Sequence, residues 1–92
     1  MTIGILKLKL RMPNSNSLKE KRMILRSLKD RLKKFNISIA EIDDQDKWQI
    51  VQLVATAVGV DKRIVNSMLS RVVNFIEKSA LVELVDFGME ML

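Results

Sequence analysis

Odd and even positions separate at the start of the chain. Leu6, Leu8, Leu10 and Met12 share one parity, and Lys7, Lys9 and Arg11 share the other. Side chains alternate across a strand, so residues 2–12 are predicted to form one with a buried face and a basic face. Pro13-Asn14-Ser15-Asn16-Ser17 breaks the pattern with turn formers. The period then changes. Leu18, Leu25, Leu28, Leu32 and Phe35 are spaced as one stripe of a helix. Ser17-Leu18-Lys19-Glu20 fits a capping box, in which the Ser17 oxygen accepts from the Glu20 amide and the Glu20 carboxylate reaches back to Ser17. Asn36, which tolerates the left-handed conformation, is the expected stop.

A short strand over residues 37–42, a polar hairpin loop over 43–47 and a longer strand over 48–58 follow. The longer strand is apolar on both parities: Trp48, Ile50, Val54 and Val58 on one, Val51, Leu53, Ala55 and Ala57 on the other. Such strands are covered on both faces. Asp61 is a good N-cap for a helix over 62–78 with its stripe at Val65, Met68, Leu69, Val72 and Ile76. Residues 81–91 read as a last strand, with Leu81, Val85, Phe87 and Met89 on one parity.

Strand, helix, strand, strand, helix, strand is the split βαβ order. The predicted fold class is α+β: a ferredoxin-like βαββαβ sandwich with two helices on one face of a four-stranded antiparallel sheet. Right-handed crossovers put the first and third strands in the centre. No interdomain linker interrupts the pattern, so residues 1–92 are expected to be one domain. Two helices cover only one face of such a sheet. Either Ile50, Val54 and Val58, or else Val51, Leu53 and the alanines, are therefore left without cover. Contiguous apolar area of that kind marks a partner site, and a homodimer through the open sheet face is the expectation.

Composition removes chemistry. The chain has no cysteine, histidine or tyrosine. Thiolate nucleophiles, the commonest general base and the commonest zinc ligand are gone with them. Glu41, Asp43, Asp44 and Asp46 make the one carboxylate cluster. It lacks the glycine and closing glutamate of a calcium loop and is read as a polar turn. Trp48 is read as an anchor packed at a strand end or interface rather than a ligand platform. No catalytic residue, metal or cofactor is expected. The longest apolar run, residues 50–60, is too short to span a membrane, and with Met1-Thr2-Ile3-Gly4 at the start no secretory leader is expected. A cytoplasmic, non-catalytic protein is expected.

Three segments carry a resemblance: Ser17-Leu18-Lys19-Glu20-Lys21-Arg22, Phe35-Asn36-Ile37-Ser38-Ile39-Ala40-Glu41, and Asp46-Lys47-Trp48-Gln49. In this order and with these gaps they resemble the YlxP-like bacterial proteins, over nearly the whole chain. The resemblance implies a ferredoxin-like fold. It also implies a role near the ribosome, since members are often encoded beside genes for translation initiation and ribosome maturation. It implies no catalytic residues.

Charge changes the picture last. The first helix holds Lys19, Lys21, Arg22, Arg26, Lys29, Arg31, Lys33 and Lys34 against Glu20 and Asp30, a larger surplus than the chain's net +5. With Lys7, Lys9 and Arg11 it makes the N-terminal third cationic, a field that attracts phosphate backbones. The candidate contacts to RNA or the ribosome are Lys7, Lys9, Arg11, Lys19, Lys21, Arg22 and Arg26. Stacking on the central strands, as in RNA-recognition motifs, is not expected, because they lack aromatics beyond Trp48. The turn at residues 14–17 could also hold a phosphate, but the capping box accounts for Ser17 and Glu20 without one. The alternative is a protein-binding or structural subunit whose positive charge only keeps it soluble; basic residues gathered on one face favour RNA, and residues spread around the molecule favour that alternative.

Overall fold

The computed structural model describes residues 1–42 and 49–92; the expected 43–47 loop, its aspartates and Trp48 lie outside the described residues. The elements run β1 Thr2–Arg11, α1 Leu18–Leu32, a 3₁₀ turn Lys33–Phe35, β2 Ser38–Glu41, β3 Ile50–Gly59, α2 Lys62–Glu77 and β4 Glu83–Met91. Every described neighbour pair in the sheet is antiparallel and the order is β2-β3-β1-β4. That is the ferredoxin-like arrangement, with the first and third strands central as the element order implied.

Register assigns the faces. β1 pairs with β3 from Thr2↔Gly59 to Arg11↔Ile50, so Leu6, Leu8 and Leu10 stand beside Ala55, Leu53 and Val51. These six are buried, with Met12 and Ala57, under Leu25, Leu28 and Leu32 of α1 and Val65, Leu69, Val72, Val73 and Ile76 of α2. The helix-covered parity of β3 is therefore Val51, Leu53, Ala55 and Ala57. Ile50, Val54 and Val58 face the open side.

Both helix starts are capped. Ser17 Oγ accepts from the Glu20 amide at 3.2 Å, and Asp61 Oδ1 accepts from the Ile64 amide at 2.9 Å. The box closes differently from the expectation, because the Glu20 carboxylate accepts from the amide of Asn16 at 2.9 Å, one residue earlier than Ser17. Asn36 ends the 3₁₀ turn at φ 56°, ψ 47°. Within that turn, Phe35 meets Phe75 of α2 edge-on at 5.5 Å between ring centroids.

Two expectations need correction. The stripe of α1 is Lys21, Leu25, Leu28 and Leu32, spaced four, three and four. Leu18 is 39% exposed, since it lies one turn beyond the end of the packed surface. In β4 the register slips opposite Lys9 and Leu10, where Asp86 pairs with Lys9 but Leu84 with Leu10. The extra residue, Val85, is exposed, and Leu84, Met89 and Met91 pack on the core. The expected grouping of Leu81, Val85, Phe87 and Met89 is broken by that bulge.

Close approach explains one glycine. A Cβ built on Gly4 meets Val65 Cγ1 below any normal separation, Leu69 Cδ1 at 2.9 Å and Met91 Sδ at 3.3 Å. α2 thus rests directly on the β1 backbone.

Candidate nucleic-acid interface

The seven cations expected to act together do not share a surface. Odd-numbered residues of β1 point away from the helices, so Lys7, Lys9 and Arg11 stand exposed on the open sheet face. Lys19, Arg22 and Arg26 stand exposed on α1, in the opposite layer. Lys21 belongs to neither. It is 4% exposed and lies on the buried stripe of α1, so it is removed from the candidate surface.

The sheet group meets carboxylates of β4. Arg11 binds Glu83 through Nη2 at 2.8 Å and Nε at 3.1 Å, and Lys9 stands beside Asp86 in register. Glu90 faces the same way beside Ile5. Among the described residues, three cations and three anions leave this face near neutral. A shallow depression of about 340 Å³ lies among them, with Lys7, Lys9, Gln52 and Asp86 on its walls and Gly88 leaving one side open.

The helix group is different. Lys19, Arg22, Arg26, Lys29 and Lys33 are spaced three, four, three and four, which places them on one line down α1 into the 3₁₀ turn. At a helical rise of about 1.5 Å per residue the line is roughly 21 Å long. Four of the five, from Arg22 to Lys33, border a groove of about 340 Å³ between α1 and β2. Two carboxylates enter it. Asp30 lies 3.2 Å from Lys33, and Glu41 lies 3.9 Å from Lys29. Both pairs are partly or largely in solvent, where such contacts neutralise weakly.

Lys29 and Lys33 were absent from the sequence-derived set. Their signal was available, because the spacing from Lys19 continues unbroken to Lys33. Lys34 leaves that line and lies 5.3 and 4.8 Å from the ring centroids of Phe35 and Phe75. Among the described residues, no group of three or more carboxylates comes together as a metal site, and no helix is long and apolar enough to cross a membrane.

The chain is similar to known proteins at two levels. The "Uncharacterized protein YlxP" of Bacillus subtilis (strain 168) is 38% identical over 71 residues, 76% of this chain and 77% of that protein. Among solved structures, the de novo designed protein Foldit4 superposes with a TM-score of 0.54 at 10% identity, covering 98% of this chain and 96% of its own. That second likeness is one of fold alone. A profile of the family described as "Protein of unknown function (DUF503)" matches residues 3–89. With a match that spans nearly all the secondary structure, the chain belongs to that YlxP-like family.

Proposed function

We propose that the protein is a non-catalytic cytoplasmic binding module that contacts RNA, alone or in a ribonucleoprotein such as the ribosome, through the outer line of α1. The observation that supports this reading is the unbroken spacing of Lys19, Arg22, Arg26, Lys29 and Lys33, with Asp30 and Glu41 the carboxylates beside them among the described residues. A row of fixed cations displaces the counterions of a phosphate backbone, and that release drives binding without base readout. Stacking is not part of the mechanism. The open faces of the central strands carry Ile3, Ile5, Lys7, Lys9 and Arg11 on β1, and Ile50, Gln52, Val54, Thr56 and Val58 on β3, with no aromatic among them.

The test is salt-dependent RNA binding by the full chain. Five phosphate contacts give a log–log slope of roughly −4, hence a loss of about two orders of magnitude between 50 and 200 mM salt. Arg22→Glu with Arg26→Glu is expected to flatten that slope, while Lys7→Glu with Lys9→Glu leaves it nearly unchanged. Equal losses from the two pairs, or no binding at 50 mM salt, would refute the assignment to α1.

A second reading has its own observation. Ile3, Ile5, Ile50 and Val54 are only half-buried and Val58 is 57% exposed, all on the sheet face that neither α1 nor α2 covers. This supports a protein-binding subunit acting through the sheet, and it leaves the α1 surface free.

A further inference from the structure

We propose that the open sheet face is the interface between two copies of this chain, with β3 of one copy lying over β3 of the other across a two-fold axis. This rests on the reading of that face as protein-binding and commits it to one occupant.

Charge selects the occupant. Lys7, Lys9 and Arg11 on β1 are balanced by Glu83, Asp86 and Glu90 on β4, and Arg11 is bound to Glu83 at 2.8 Å. A polyanion approaching this face meets three carboxylates. Another copy meets no net like charge among the described residues of this face, although the chain as a whole carries +5, because the surplus sits in the helix layer. The sheet face is thus one by which two such cationic molecules can approach without repulsion.

Register then fixes the overlap. Lys7, Val54 and Ala40 share one row across β1, β3 and β2. Lys9 and Gln52 share another, and Ile42 reaches it through its amide bond to the Gln52 carbonyl at 3.0 Å. A two-fold axis along β3 puts Val54 against its own copy and β1 against the other molecule's β2. The methylene stems of Lys7 and Lys9 then cover Ala40 and Ile42 while their ammonium groups reach water. β4 falls outside the overlap, so none of its carboxylates is buried, which would be costly. A contact in which the same patch serves both molecules closes at two and does not grow further.

The size suits a transient, reversible dimer. β3 is 10 residues, about 33 Å at 3.3 Å per residue, and lies over its own copy, whereas β2, at 4 residues or about 13 Å, limits each of the two β1–β2 overlaps. At a strand spacing of about 4.8 Å that is roughly 290 Å² of flat area per copy, or about 570 Å² for the pair before side-chain relief, at the low end where interfaces are transient. Both α1 lines end on the outside of the sandwich.

The experiment is sedimentation equilibrium of the full 10.6 kDa chain at tens of micromolar, for the native sequence and for Ile50→Lys with Val54→Lys. Dimer for the first and a folded monomer for the second, with folding read by circular dichroism, is expected. Ile50→Thr with Val54→Thr, which keeps β-branched residues in the strand, is expected to weaken the dimer at least tenfold and covers the case in which lysine disturbs folding. A native dimer that both pairs leave intact overturns this face. A native monomer overturns the second copy as occupant. If that monomer binds a different protein, and Val54→Lys abolishes the binding, the protein-binding reading stands and the self-association fails.

Discussion

Replacing Gly4 by alanine adds one methyl group where α2 lies on β1. The new carbon meets Val65 Cγ1, Leu69 Cδ1 at 2.9 Å and Met91 Sδ at 3.3 Å. Met91 can swing aside, and Leu69 can rotate its terminal methyl. Val65 cannot, because its β-branched side chain is fully buried with one favoured rotamer in a helix. The helix must therefore shift, and overpacking of this kind costs about 1–3 kcal/mol. Against it stands the loss of glycine's freedom in the unfolded chain, worth up to about 1 kcal/mol. The net expectation is a destabilisation of about 1–2 kcal/mol, or a drop in Tm of roughly 5–15 °C for a domain of this size. Gly88→Ala is the internal control. It lies in β4, its built Cβ meets nothing within 4 Å, and only the unfolded-chain term acts, so stability should rise slightly. Urea denaturation followed by circular dichroism gives both differences, with slopes checked for equality. A Gly4→Ala protein as stable as Gly88→Ala would refute the close packing of α2 on β1.

Asp61→Ala should cost about 1 kcal/mol in the same assay, since the Ile64 amide loses its side-chain acceptor. Leu53→Lys, on the covered face of β3, should abolish the cooperative transition at 25 °C, whereas Val54→Lys one residue later should leave it. Asn36→Val should destabilise by about 1 kcal/mol or more and Asn36→Gly by little, because the position is left-handed. Arg11→Ala should change stability by less than about 1 kcal/mol, as its partner Glu83 is half in solvent, and the change should shrink further in high salt.

Where local chemistry decides a feature, the residues announced it. The alternation of Leu6 to Met12 against Lys7 to Arg11, the two N-caps and the left-handed Asn36 all follow from interactions within a few residues. Central placement of β1 and β3 follows from chirality and element order alone. Features set by a neighbouring element were not legible. Whether Leu53 or Val54 lies under the helices depends on register with β1, since both parities of β3 are apolar. Val85 turns outward because of a slip against a strand more than seventy positions away. Lys21 occupies the buried stripe of α1, a place that hydrophobicity assigns to Leu18. The candidate site suffered most from this limit. Lys7 and Arg22 are close in the chain, yet the sheet and helix layers put them on opposite sides of the molecule. Charge density along a sequence measures surplus, and only the fold turns surplus into a surface.

The bulge in β4 bears on how the protein behaves when crowded. β4 is 9 residues long and one of its edges has no neighbouring strand among the described residues, so its amides and carbonyls could template a further chain. A straight strand of that length, bearing exposed Val85 and Phe87, would invite edge-to-edge polymerisation into fibrils. The extra residue bends the strand and raises its twist, so that a second straight strand cannot follow it for its full length. Glu83 and Glu90, near its two ends, add repulsion between like strands brought together in parallel register. Deleting Val85 would straighten this margin, and the shortened protein should form thioflavin-positive aggregates at concentrations where the native chain stays clear.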